Sequence, residues 1–140
     1  MKYSLDKYIS FHKKNGGTGK LFNFKLISYS QGELELEGEF NDISLNPDGS
    51  VQGGMMTAML DDVTSLLIII ETKGRVYPAS TDLHTIHHRA LAKGKVKAIA
   101  SIIKIGKKIA TTRGELFDRG VLATTLMHTS YLIEKPIKEN

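Results

Sequence analysis

The spacing of apolar and polar residues changes along the first third of the chain, and each change predicts a new element. Residues 5–13 carry apolar side chains at helical spacing, which predicts a short amphipathic helix. The glycine-rich stretch 15–19 should end it. Phe22, Phe24 and Leu26 then alternate with polar neighbours, which predicts a first strand.

Residues 33–40 alternate most regularly. Four glutamates occupy one face, and Leu34, Leu36 and Phe40 occupy the other. This pattern is typical of an antiparallel strand with one face in water and one face on the core.

The stretch from Met55 to Ile70 is apolar in nearly every direction around a helical wheel. A helix that is apolar all round is normally buried on all sides. Polar residues nevertheless share one narrow flank, at i, i+4, i+7 and i+8: Thr57, Asp61, Thr64 and Ser65. A buried carboxylate is costly unless it is paired, hydrogen-bonded or beside a water-filled site. Asp61 is therefore a candidate functional residue; the alternative is that Asp61 caps a neighbouring loop and Asp62 is the solvated one.

After this helix, Lys73 and Gly74 form a stop signal. Three or four strands are predicted next, over residues 77–86, 95–105, 108–117 and 121–133, with short hairpin turns between the last three. A helix buried by about five strands implies a sheet wrapped around it. We therefore expect an α+β hot-dog fold: a curved antiparallel sheet of five to six strands around one long central helix, plus a short N-terminal helix, in one domain spanning 1–140.

Composition and the absence of known motifs exclude several kinds of functional site. The chain has no cysteine, which excludes disulfides, thiolate metal sites and cysteine nucleophiles. Walker A, dinucleotide-binding and Gly-x-Ser-x-Gly signatures do not match. His84 and His88 share a predicted strand face but lack a third ligand, so we expect no metal and no cofactor. The N-terminus lacks the layout of a signal peptide, and the longest apolar run, 63–70, is too short to span a bilayer. The expected location is cytoplasmic, with no membrane partner.

Charge is unevenly distributed. Residues 33–48 are acidic, whereas residues 89–119 carry nine Lys and Arg. A basic half suits an anionic partner, such as nucleic acid, a phosphorylated cofactor or a membrane surface. Aromatic residues are not interleaved with the basic ones, so we expect no nucleic-acid partner. Most of these lysines should belong to a solvated strand face.

Two glycines open the long predicted helix. They follow the turn sequence Asn46-Pro-Asp-Gly49, and Gln52 comes directly before them. The first turn of a helix presents unpaired N–H groups, and glycines there allow close approach of a ligand. Gly53 and Gly54 could therefore bind a phosphate, a carboxylate or a developing oxyanion. The alternative is a helix entry where glycine only relieves crowding.

These residues resemble the motif of the hot-dog thioesterases, specifically the phenylacetic-acid-pathway type related to one class of 4-hydroxybenzoyl-CoA thioesterases. The family pattern is Asn, five residues, His-Gly-Gly, then an acidic residue nine positions after the His. This chain has Asn46, five residues, Gln52-Gly53-Gly54, then Asp61, so Gln52 replaces the His. The resemblance covers roughly residues 20–133.

The resemblance implies hydrolysis of an acyl-CoA thioester to a free acid and CoA. Gly53, with Gly54, would hold the thioester oxygen, and Asp61 would act as general base or nucleophile. Asn46 and Ser80 would orient the attacking water or the carboxylate. Gln52 would keep the orienting role of the missing His. Substrate contacts are expected from Thr57, Ser65 and Arg89.

Gly53 and Asp61 are eight residues apart, roughly 12 Å along a helix at ~1.5 Å per residue. One protomer therefore cannot easily place both groups on a single carbonyl, and we expect a dimer or a dimer of dimers with sites at the interface. The alternative function is a non-catalytic hot-dog domain that binds acyl-CoA or an acyl-carrier protein. A dehydratase would normally require a His-containing motif, which Gln52 argues against.

Overall fold

The computed structural model describes residues 2–135. The C-terminal tail, for which we expect no regular structure, lies outside the described residues from position 136. The elements follow one another as α1 (Lys2–Asn15), α2 (Gly17–Phe22), β1 (Lys25–Ser30), β2 (Glu33–Phe40), a 3-10 turn (Asp42–Ser44), α3 (Gly53–Glu71), β3 (Tyr77–His87), β4 (Gly94–Ile105), β5 (Ile109–Asp118) and β6 (Val121–Ile133).

The six strands form one antiparallel sheet in the order β1-β2-β4-β5-β6-β3. The sheet curves around α3, which packs against β2, β3, β4, β5 and β6. The predicted hot-dog fold is therefore confirmed. Strand β3 follows the helix in sequence but pairs only with β6, the last strand, so it forms one edge of the sheet.

The core lies between the inner face of the sheet and α3. The alternation predicted for residues 33–40 is confirmed, because every second residue of β2 is buried and the glutamates face outward. Fully buried side chains from both layers meet there; those from the sheet are Leu34, Leu36, Leu116 and Leu126, and those from α3 are Met59, Leu60, Val63 and Leu67.

The predicted first strand over Phe22, Phe24 and Leu26 is wrong at its start. Phe22 ends α2, and the strand begins only at Lys25. Between the two buried phenylalanines, Asn23 adopts a left-handed conformation with φ 49°, which ends the helix. The alternation of buried residues therefore comes from a helix end and a turn rather than from a pleated strand.

The glycine-rich segment does end α1, but the chain continues directly into α2 rather than into a loop. Gly19 makes this packing possible, since a Cβ at this position would lie 2.3 Å from the carbonyl oxygen of His12. Only a residue without a side chain lets α2 approach α1 this closely.

Helix α3 spans the predicted residues and one more, and Gly74, at φ 73°, follows its end. The expectation that α3 is buried on all sides is wrong for one flank, because Thr57, Asp61 and Ser65 are only half-buried. By length and composition alone α3 could cross a membrane, but half of its most apolar stretch is packed inside the fold, as expected of a core helix.

Candidate active site

Asp61 lies where α3 faces the start of β3. Its Oδ1 accepts hydrogen bonds from the hydroxyl of Ser65, one turn later on the helix, at 3.3 Å, and from the hydroxyl of Ser80 at 3.2 Å. A β-bulge at Thr81 follows Ser80, which pairs with the inward-facing Ser130 of β6. The Asp61 side chain stays 35% exposed. One carboxylate oxygen is thus anchored by two hydroxyls.

His128, which is not among the residues predicted from the sequence, completes this cluster. Its ring is fully buried on the inner face of β6. Nδ1 lies 2.7 Å from the hydroxyl of Thr64, which donates to the carbonyl of Leu60 at 2.8 Å. Because the Thr64 hydrogen is used in this way, Nδ1 is the donor of the pair. Nε2 is then free to accept one hydrogen, either from the hydroxyl of Ser80, at 2.8 Å, or from that of Ser130, at 3.1 Å.

Burial lowers the pKa of His128 below its usual value of 6.5, while the charges of Asp61 and Asp82 partly oppose this shift. The ring is therefore neutral near pH 7, in agreement with the tautomer that the hydrogen bonds require. Ser80 contacts both groups, and Nε2 of His128 itself lies 3.7 Å from Oδ1 of Asp61. With Ser130 donating to Nε2, the Ser80 hydroxyl can donate to the Asp61 carboxylate.

A cavity of about 240 Å³ opens beside Asp61. Its apolar wall comes from α3 and β3 and consists of Leu66, Ile69, Tyr77, Pro78 and Ala79. Its remaining lining is polar and includes Ser65, Ser80, His12 and Asp62. An apolar pocket beside an anchored carboxylate is a common form of small-molecule site.

Asp62 is not the solvated carboxylate that the alternative interpretation requires. Its side chain is only 14% exposed, less than that of Asp61, and its Oδ2 lies 3.1 Å from Nε2 of His12. The two atoms are close but not in hydrogen-bond geometry, so the contact is an ion pair only when His12 is protonated. The pair joins α1 to α3 at the edge of the cavity.

The start of α3 forms a second group of predicted site residues. Gln52 is the N-cap, is exposed, and makes no capping hydrogen bond with its side chain. In the part of the chain that the structure describes, the N–H groups of Gly53 and Gly54 donate no hydrogen bond, which is the usual state of the first turn of a helix. The imidazole of His87, at the end of β3, packs against Gly53.

The remaining predicted residues do not line the cavity beside Asp61. Asn46 donates to the hydroxyl of Ser50 at 3.2 Å, within the turn that precedes α3. Thr57 donates to the hydroxyl of Thr85 at 3.0 Å, which ties α3 to β3. Arg89 is exposed, just after β3.

The histidines considered for a metal site lie on and just after β3. Over residues 2–135, no three His, Asp or Glu side chains cluster closely enough to hold a metal ion. His88, one of the two histidines considered for such a site, instead pairs its Nε2 with the hydroxyl of Thr125 at 2.9 Å.

A family model described as the thioesterase superfamily matches residues 48–124, more than half of the chain. The chain belongs to the thioesterase superfamily. The match contains Gly53, Asp61 and Ser80 but ends before His128. As a member of this superfamily, the protein is a thioester hydrolase, and the predicted family and enzyme class are confirmed.

Solved structures agree with this assignment of the thioesterase fold. One similar structure is a candidate thioesterase of Ralstonia eutropha JMP134, a phenylacetic acid degradation-related protein, at 27% identity and TM-score 0.80, covering 89% of this chain and 98% of that one. A thioesterase from Haemophilus influenzae superposes with TM-score 0.82 at 18% identity, covering 93% and 90% of the two chains. A Streptococcus mutans protein bound to acetyl CoA has TM-score 0.74 and 17% identity, with coverage of 82% and 92%.

Proposed function

We propose that this thioesterase hydrolyses acyl-CoA, with Asp61 as general base or nucleophile and the first turn of α3 as the oxyanion hole. The thioester oxygen accepts hydrogen bonds from the N–H of Gly53 and Gly54, which stabilise the negative charge that develops on it. With Asp61 as base, the carboxylate takes a proton from a water molecule that adds to the carbonyl carbon, the carbon–sulfur bond breaks, and the proton passes to the CoA thiolate. With Asp61 as nucleophile, the carboxylate adds to the carbonyl carbon and the carbon–sulfur bond breaks, which leaves an anhydride on Asp61. Water then hydrolyses this anhydride, the free acid is released, and the thiolate takes up the proton that the water loses.

The arrangement of Asp61 carries this proposal. Its Oδ1 is anchored by Ser65 and Ser80, and Oγ of Ser80 lies 2.8 Å from Nε2 of His128. Within the described residues Oδ2 accepts no hydrogen bond, and the side chain lines the cavity. An oriented carboxylate with one open oxygen can take a proton from a water molecule or attack a carbonyl directly. Ser80 and Ser65 act here as orienting groups.

Two copies of the chain should share each site. Within one chain, Gly53 and Asp61 are about 12 Å apart along α3 at ~1.5 Å per residue. The polar flank of α3 is only half-buried, and β3 is an edge strand, so both can face a second copy. A second α3, antiparallel across a two-fold axis, would bring Asp61 of one protomer to Gly53 of its partner. Pairing of such dimers would give a tetramer.

The acyl-CoA substrate is supported by the family and by the acetyl CoA in the Streptococcus mutans structure. On this chain, the apolar cavity beside Asp61 would take the acyl group. The exposed side chain of Arg89 would contact the phosphates of CoA, because an exposed cation attracts a phosphate without a large desolvation cost.

Release of free CoA thiol from a panel of aliphatic and aromatic acyl-CoA thioesters tests the proposal. Asp61→Asn should lower the rate at least ~10²-fold, the usual contribution of an acid–base group. Asp62→Asn, which removes the neighbouring carboxylate of α3, is the matched control and should lower the rate far less. A harmless Asp61→Asn beside an inactive, folded Asp62→Asn would contradict the assignment. Acyl-CoA binding without any hydrolysis would favour the non-catalytic alternative.

A further inference from the structure

His87 reaches the proposed oxyanion hole from the end of β3. A Cβ placed on Gly53 would lie 3.1 Å from Nε2 of His87 and 3.4 Å from its Cδ2, so the nitrogen is the nearest part of the ring. Nε2 of His87 therefore lies beside the residue whose N–H is proposed to bind the thioester oxygen. The glycine at this position leaves room for both the ring and a ligand.

We propose that His87 is a further catalytic residue of this thioesterase, whose Nε2–H donates a side-chain hydrogen bond to the thioester oxygen bound by Gly53. This inference rests on the proposed function. It adds a side-chain donor to the backbone donors of α3, and oxyanion holes can combine donors of both kinds.

The buried hydroxyl of Thr124 fixes the ring of His87. It lies 3.3 Å from Nδ1 and 3.4 Å from the sulfur of Met56. A thioether sulfur is a weak acceptor, so the hydroxyl hydrogen goes to Nδ1 in preference. With Nδ1 as the acceptor, the hydrogen of the ring lies on Nε2, the atom nearest to Gly53.

The position before the glycines explains why such a donor matters in this chain. Gln52 stands where the resembling family has His, and its side chain makes no capping hydrogen bond. An imidazole is nevertheless present at the helix start, supplied by β3 through His87. The neighbouring His88 does not share this role, because its Nε2 pairs with Thr125.

Steady-state kinetics on the best acyl-CoA of the panel tests the inference. His87→Phe keeps a flat ring but removes the donor, and we expect a fall of about 10²-fold in kcat, the scale for one lost oxyanion-hole donor, with KM little changed. His87→Gln retains an N–H donor and should recover most of the loss. Thr124→Val releases Nδ1 and should give an intermediate kcat. His88→Phe is the matched control and should leave kcat unchanged.

Thermal unfolding of each variant separates folding from chemistry. Should His87→Phe fail to fold, the comparison of His87→Gln with His87→Ala decides in its place, with the larger kcat expected for glutamine. Full kcat in folded His87→Phe, in an enzyme that Asp61→Asn inactivates, overturns the role of His87 and leaves the proposed function standing. Wild-type protein that releases no CoA from any thioester overturns both.

Discussion

Acidification should destabilise this protein through His128, and His128→Gln should remove that part of the pH dependence. Burial holds the pKa of the folded ring below its usual 6.5. As the pH falls through 6.5, the unfolded chain binds a proton that the folded chain still excludes. Above pH 6.5, His128 therefore leaves the free energy of unfolding unchanged. Below this pH the free energy of unfolding falls, until the pH reaches the lowered pKa of the folded ring.

The size of the effect has an upper bound. One group whose folded form stays neutral costs at most about 1.4 kcal/mol of unfolding free energy at one pH unit below the unfolded pKa. Glutamine does not titrate, so this contribution should vanish in His128→Gln. The variant should also be less stable at every pH, because Ser130 loses its partner in the ring and a buried unpaired hydroxyl costs ~1–3 kcal/mol.

Urea denaturation at pH 7.5, 6.5 and 5.5 separates these two effects. The loss of Ser130's partner shifts the whole curve, whereas the titration of His128 changes its slope with pH. Parallel pH dependences for wild type and His128→Gln would refute the reasoning from burial.

Three further results are expected. Asp61→Asn chains and Gly53→Pro chains, which lack the N–H, should each be inactive but regain about a quarter of wild-type activity when mixed and reassembled. Half of the randomly formed dimers combine the two variants, and each of these holds one intact site of two. A fully active monomer would contradict shared sites. Gln52→Ala should impair hydrolysis more than Gln52→His, because the amide and the imidazole both offer a donor and an acceptor, and the reverse order in kcat would contradict this. Gly19→Ala should lower the free energy of unfolding by ~1–3 kcal/mol in urea titration, since its Cβ would meet a backbone oxygen of α1 at 2.3 Å. Gly17→Ala is the control and should not lower it, because a Cβ on Gly17 would point into open space.

Regular periodicity predicted most of the fold. Strand β6 occupies the predicted residues 121–133, and α3 extends the predicted helix by a single residue, Glu71. The misplaced first strand has a local cause, because two buried aromatic residues separated by one polar residue are compatible with a strand and also with a helix end. The left-handed Asn23 decides between them, and the apolar pattern alone does not reveal it.

The candidate site was only partly accessible from sequence. Asp61 was identifiable as a carboxylate on an apolar helix, and Ser65 lies one turn away on the same flank. His128 and Ser130 both lie on the buried face of β6. Polar residues at the buried positions of an alternating strand are a sequence signal that could have identified His128. The contact of His87 with Gly53 had no such signal, because it depends on where β3 pairs along β6.

The pairing of β3 with the last strand also constrains the order in which the molecule can fold. Ser80 lies opposite Ser130, so the strand that carries it has no neighbour in the sheet until the chain has been made as far as β6. Contacts between residues so distant in sequence form slowly, since the chain loses the entropy of closing a long loop before the contacts stabilise it. A nascent chain that has completed α3 thus already carries Asp61, but its hydrogen bond to Ser80 must wait for the C-terminal strand.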